Sequence, residues 1–94
     1  MILTSTQKGY TFRFQSTQKV MDVENAATLP GTRVQQYEGN GDMSQIFGFA
    51  PSDDGTFWIT YANDLVLTAH EDGSVTVETK EDGEPLQLWE VIAE

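Results

Sequence analysis

Ninety-four residues are enough for one domain with a modest core. About 64% of the unfolded surface of such a chain can be buried, and a composition 38% hydrophobic and 11% aromatic excludes intrinsic disorder. The absence of Cys excludes disulfides, cysteine-based zinc sites and thiol chemistry, and the single histidine, His70, excludes a multi-histidine metal or relay site within one chain. Fifteen acidic against five basic residues leave a net charge of −10. That balance opposes nucleic acid and anionic lipid and suits neutral ligands such as sugars, or a basic protein partner.

The elements follow in chain order. Met1-Ile2-Leu3-Thr4 lacks the basic and apolar regions of a signal peptide, so a cytoplasmic location or secretion by a non-classical route is expected. Residues 2–4 allow a short lead strand. Tyr10-Thr11-Phe12-Arg13-Phe14 alternates apolar and polar residues, Gln45–Phe49 and Thr56–Tyr61 are aromatic and β-branched, and Ser74–Thr79 alternates strictly. Eight strands are expected near 9–15, 19–23, 33–37, 45–50, 56–61, 65–69, 74–79 and 86–92. Only 24–29 could form a helical turn. Pro30-Gly31, Gly39-Asn40-Gly41-Asp42, Asp53-Asp54-Gly55, Glu71-Asp72-Gly73 and Glu81-Asp82-Gly83 supply the turns between them. The longest charge-free apolar stretch, Ile46–Ala50, is far short of a membrane span of about 20 residues, so no membrane insertion is expected. Short strands at this spacing imply an all-β sandwich or barrel.

The chain repeats itself. Tyr10, Phe12 and Phe14 recur as Phe57, Ile59 and Tyr61, Val20-Met21-Asp22-Val23 as Val66-Leu67-Thr68-Ala69, and Gln45-Ile46-Phe47 as Gln87-Leu88-Trp89. Two four-strand units, about 9–52 and 53–94, account for one domain over 1–94. Met1 and the ending just past the last aromatic strand are those expected of a complete small protein.

In the first unit, Lys19-Val20-Met21-Asp22-Val23, Gly31-Thr32-Arg33-Val34-Gln35-Gln36-Tyr37 and Ser44-Gln45-Ile46-Phe47 follow one another in order. The second opens with Asp54-Gly55-Thr56-Phe57-Trp58-Ile59 and closes with Gln87-Leu88-Trp89. This ordered set resembles the ricin-type β-trefoil lectins over residues 9–92. The resemblance implies a β-trefoil-like barrel and a binding site for a galactose-type sugar. Asp22 matches the carboxylate that takes two sugar hydroxyls, Tyr37 the aromatic that stacks on the ring, and Gln35 the supporting glutamine. Gln45 matches the glutamine after the family's binding asparagine. That asparagine is Ser44 here, a departure that removes one donor, for which Asn40 in the glycine-rich loop could substitute. Independently of the family, a carboxylate between Met21 and Val23 needs hydrogen-bond donors. It either caps a turn at the strand end or meets a ligand. In the second unit Thr68, Glu78 and Leu86 stand at the places of Asp22, Tyr37 and Ser44, so that copy is expected to be scaffold only.

No catalytic residue, metal or cofactor is expected. The paired acidic residues sit in turns beside glycine, His70 lies in a turn next to Glu71-Asp72, and no nucleophile has an adjacent base. Two readings remain open: a small lectin with one sugar site, and an acidic protein-interaction module or inhibitor that engages a basic partner. Two units of a three-unit fold would leave a barrel side open, exposing Phe12, Phe14, Ile59 and Trp89, so a homo-oligomer that completes barrels between chains is expected. Three chains hold six units, enough for two full trefoils with one chain divided between them.

Overall fold

The computed structural model describes residues 2–52 and 54–90. Eight short strands carry the fold: Ile2–Ser5 (β1), Tyr10–Arg13 (β2), Val20–Val23 (β3), Thr32–Tyr37 (β4), Gly48–Pro51 (β5), Phe57–Tyr61 (β6), Leu65–Ala69 (β7) and Val75–Thr79 (β8). Single 3-10 turns at Glu24–Ala26, Met43–Gln45, Ala62–Asp64 and Pro85–Gln87 interrupt them, and there is no α-helix among the described residues. All pairings are antiparallel, in the order β1-β2-β3-β4-β8-β7-β6-β5. The sheet curls back on itself, because Phe47, just ahead of β5, bridges Tyr10 on β2. Trp89 makes the matching bridge to Phe57 on β6. A chain of neighbours therefore runs β1, β2, Phe47 with β5, β6 and Trp89, and forms the barrel wall.

The core follows from period-two alternation. Phe12, Val23, Phe47, Ile59, Tyr61, Leu65, Leu67 and Val77 are buried together. Both units contribute, and aromatic rings join them: Phe47 lies 5.6 Å from Tyr61 and Phe49 5.1 Å from Phe57, while within the first unit Phe12 lies 5.6 Å from Phe49, centroid to centroid. Edge and tilted contacts of this kind add to the area they bury.

Three expectations need correction. Phe12 and Ile59, expected on an open barrel side, are 7% and 5% exposed. The rings of Phe47 and Phe49 pack against Phe12, and Phe14 and Trp89, expected on the same side, are half-buried. The expected strand at 45–50 begins only at Gly48, because Asp42 accepts a hydrogen bond from the Met43 N–H and starts a 3-10 turn that holds Gln45. The expected strand at 86–92 is a 3-10 turn at Pro85–Gln87 and then a single bridge at Trp89, while 91 and 92 lie outside the described residues. The lead segment, in contrast, is a full strand, and the expected turn at 24–29 is a 3-10 turn at Glu24–Ala26.

The acidic turns are local devices. Asp54 accepts from the N–H and hydroxyl of Thr56, and Asp72 from those of Ser74. Those donors hold both carboxyls below the usual aspartate range. Asp53 lies outside the described residues.

One glycine fixes the barrel joint. Gly9 has φ 152°, and a Cβ there would stand 2.7 Å from the Phe47 carbonyl oxygen and 2.8 Å from Ile46 Cγ2. Gly31 also has a positive φ, 91°, but nothing lies within 4 Å of its would-be Cβ. Gly31→Ala is expected to cost only backbone strain, about 1 kcal/mol. Gly9→Ala adds overpacking against backbone and should cost about 3 kcal/mol. Urea unfolding of the two variants checks the order.

Candidate functional site

On β3, Met21 and Val23 face the core, so Val20 and Asp22 face the other way. Register places Gln35 opposite Asp22 and Tyr37 opposite Val20. Asp22, Gln35 and Tyr37 therefore share one face of the β3–β4 pair. The segment from Glu38 to Gln45 folds back over that face, and it leaves Asp22 only 5% exposed.

A buried amide ties this segment down. Gln45 is 1% exposed. Its Nε2 donates to Asp22 Oδ2 at 2.9 Å and to the Glu38 carbonyl at 2.8 Å, and its Oε1 accepts the Asn40 N–H at 2.9 Å. The second unit repeats the clamp. Gln87 Nε2 donates to Thr68 Oγ1 at 3.3 Å and to the Thr79 carbonyl at 3.0 Å, and its Oε1 accepts the Glu81 N–H at 2.8 Å. Both glutamines are positioning residues whose polar atoms are already engaged.

Ser44 donates its hydroxyl to Asp22 Oδ2 at 3.2 Å and lies 3.5 Å from Asp42 Oδ2. Asp22 thus receives two donors on Oδ2, while no donor among the described residues reaches Oδ1. No lysine, arginine or histidine among the described residues lies within 4.0 Å of its carboxylate oxygens; the one basic–acidic side-chain contact at that distance is between His70 Nε2 and Glu78 Oε2. Tyr37 is 52% exposed at the rim. Gln35 is half-buried, with no side-chain hydrogen bond to another described residue. Asn40 holds the N–H of Asp42 through its Oδ1 at 2.9 Å, which leaves its amide N–H groups to the outside. Four of the six expected residues, Asp22, Ser44, Gln45 and Asn40, are thus joined by hydrogen bonds, and Gln35 and Tyr37 border them.

Asp42 is the residue that sequence reasoning missed. Its signal is the cap pattern of an acidic residue three positions before a glutamine, Asp42…Gln45, which Glu84…Gln87 repeats. Glu84 Oε1 accepts from the Leu86 N–H. Asp42 also acts at a distance. Burial first, then the charges of Asp22 and Asp42, push the Tyr61 hydroxyl above its ordinary value.

Two clefts bear on the site. One, of about 500 Å³, is lined by Met43, Ile46, Phe47 and Tyr61 among others, and holds none of the six expected residues. The other, of about 450 Å³, lies on the second unit, with Thr68, Glu78, Glu81, Leu86 and Gln87 in its lining. It is the counterpart of the first-unit site, with a hydroxyl where Asp22 stands and with the His70 imidazole, but no Phe, Tyr or Trp, in its lining. Among the described residues no group of three or more His, Cys, Asp or Glu side chains is arranged to hold a metal ion.

A family profile described as ricin-type β-trefoil lectin domain-like matches residues 2–89. The chain belongs to that family. It is a family of carbohydrate-binding lectins and is typically non-enzymatic. Among solved structures, the crystal structure of the designed 3-fold symmetric protein ThreeFoil is similar, with a TM-score of 0.87 and 22% sequence identity over 98% of this chain and 70% of that one. At that identity the likeness shows the fold, a β-trefoil, and the covered share corresponds to about two of three symmetric units. No curated protein sequence matches the chain.

Two outcomes are expected from this geometry. Gln45→Ala strips the amide from a buried carboxylate and should cost about 3 kcal/mol or more. Gln87→Ala leaves only a hydroxyl and carbonyls and should cost less, about 1–3 kcal/mol. Chemical denaturation of both variants measures the difference. Tyr61 should ionise above the ordinary tyrosine value of about 10, and Asp22→Asn or Asp42→Asn should bring it part of the way back. Because its folded value is raised, the stability it contributes is present below about pH 10 and is lost as pH rises through the folded value. Carbon-13 NMR of the tyrosine rings during alkaline titration reads both effects.

Proposed function

We propose that the protein is a small lectin that binds a galactose-type sugar through one site in the first unit of a single domain over 1–94. The observation that carries the reading is Asp22. It is a nearly buried carboxylate with one oxygen held by Ser44 and Gln45, the other without a protein donor, and an exposed Tyr37 on the same face. Sugar hydroxyls are neutral donors and suit an oxygen that no cation balances. A galactose-type ring has an axial 4-hydroxyl that leaves one face rich in C–H for Tyr37 to stack on. Gln35 and the Asn40 amide supply further polar contacts at the edge. Ser44 and Gln45 hold the carboxylate in place. The second-unit cleft, with Thr68 and Glu78 in place of carboxylate and aromatic, serves as scaffold. We further propose that the chain works as a homo-oligomer, so that single weak sites add in avidity.

A glycan array followed by titration with the best sugar tests the reading. Asp22→Asn keeps the shape but loses charge-assisted hydrogen bonds of roughly 1.5–3 kcal/mol each, so affinity should fall at least tenfold while the fold persists. Tyr37→Ala should abolish binding and Tyr37→Phe should nearly preserve it, since stacking uses the ring face. Binding of a neutral sugar should change little with ionic strength. Unchanged affinity in Asp22→Asn would remove Asp22 from the site. A steep loss of binding with salt would favour the acidic module that engages a basic partner.

A further inference from the structure

We propose that the outer edge of β1 is where a second copy of this chain docks, the two β1 strands pairing antiparallel across a twofold axis. The inference rests on the self-association proposed above and names its strand and its partner.

β1 ends the sheet and, among the described residues, pairs on one side only, with β2. All four of its residues are exposed, with Ile2 at 41% and Leu3 at 48%. Natural sheets blunt such edges with charge, proline, bulges or a covering element. β1 reads Ile-Leu-Thr-Ser, and its register with β2 is unbroken, so it carries none of the first three. The opposite end of the sheet differs. β5 ends in Pro51, and the segment leading into it returns to β2 through the Phe47–Tyr10 bridge.

Charge selects the occupant. Residues 1–7 hold no charged side chain in a chain of net charge −10. A second copy, repelled elsewhere, meets no like charge there, and a basic protein finds no acid on β1 to hold. Antiparallel pairing about the strand centre sets Leu3 opposite Thr4 and Ile2 opposite Ser5 of the second copy, so one short sequence serves both sides of an isologous contact. Two copies suffice. A trimer holding two full trefoils would have to divide one chain, and its two units share the contacts of Phe47 with Tyr61 and Phe49 with Phe57 as well as the β4–β8 pairing.

Size exclusion with light scattering from micromolar to millimolar full-length chain, at low and high salt, tests the proposal. A mass of two chains is expected, with association strengthened by salt because two like-charged copies repel. Hydrogen exchange should show the β1 amides gaining protection as the dimer forms. Leu3→Lys sets a charge on the edge, and Ile2→Glu sets a carboxylate opposite Arg13, a cross-strand pairing favourable within one chain. Each should weaken dimerisation at least tenfold, and Ile2→Glu should retain the wild-type circular dichroism spectrum. A chain that stays monomeric throughout overturns both self-association and this interface. An oligomer that persists in Ile2→Glu, or forms without protection of β1, overturns the β1 interface and leaves self-association standing. Neither outcome bears on the single sugar site, which the Asp22 variant reads separately, although a monomer would remove the proposed avidity.

Discussion

The fold hangs on a buried amide. In a sheet of strands four to six residues long, no strand is long enough to fix its own neighbours, and the loops must be anchored to something inside. Gln45 and Gln87 do this. Each holds a loop N–H, a carbonyl at or just past the end of a strand (Glu38 for Gln45, Thr79 for Gln87) and a side-chain oxygen on the strand at the heart of its unit. The aromatic residue two positions on then enters the barrel and bridges back to the strand that opened the unit. A primary amide suits the task because it offers two donors and an acceptor in one plane. Neither a carboxylate nor a hydroxyl could hold all three partners.

This arrangement explains why a carboxylate can sit at the candidate site. A buried charge without donors would be costly, but Asp22 is reached by an amide that the fold needs for another reason and by the Ser44 hydroxyl at the start of the same turn. The Asp42 carboxylate caps that turn from outside. The net effect is a pair of carboxylates without an ion-pair partner among the described residues, although the Arg13 guanidinium lies against Gly39 of the covering segment, and their charge is felt as far as the Tyr61 hydroxyl. Such a pair repels anions and offers neutral hydroxyl groups an acceptor.

Much of this was legible in the sequence, for reasons that can be named. Alternation placed most of the strands, and the resemblance named Asp22, Gln35 and Tyr37, which the β3–β4 register sets on one face. Gly31, Gly41, Gly55, Gly73 and Gly83 all take positive φ, as the turns containing them required. What escaped were features set by partners far along the chain. Gln45 looked like the first residue of a strand, yet the cap supplied by Asp42 bends it into a 3-10 turn. Phe12 and Ile59 looked exposed to a count of units, but Phe47 and Phe49 fill the space above them. Asp42 escaped because its role depends on the turn it starts.

The two clamps close on different chemistry, a carboxylate at Asp22 and a hydroxyl at Thr68, while each also holds one backbone N–H and one backbone carbonyl. The amide geometry accepts either oxygen, so the residue beneath it is free to change while the loop above stays put. A duplicated unit of this kind can lose a ligand-binding group without losing its shape, and can regain one by the same route. Thr68, Glu78 and Leu86 stand where the first unit has Asp22, Tyr37 and Ser44. They mark the second unit as a blank on which a new specificity could be written by grafting side chains, with the frame already built.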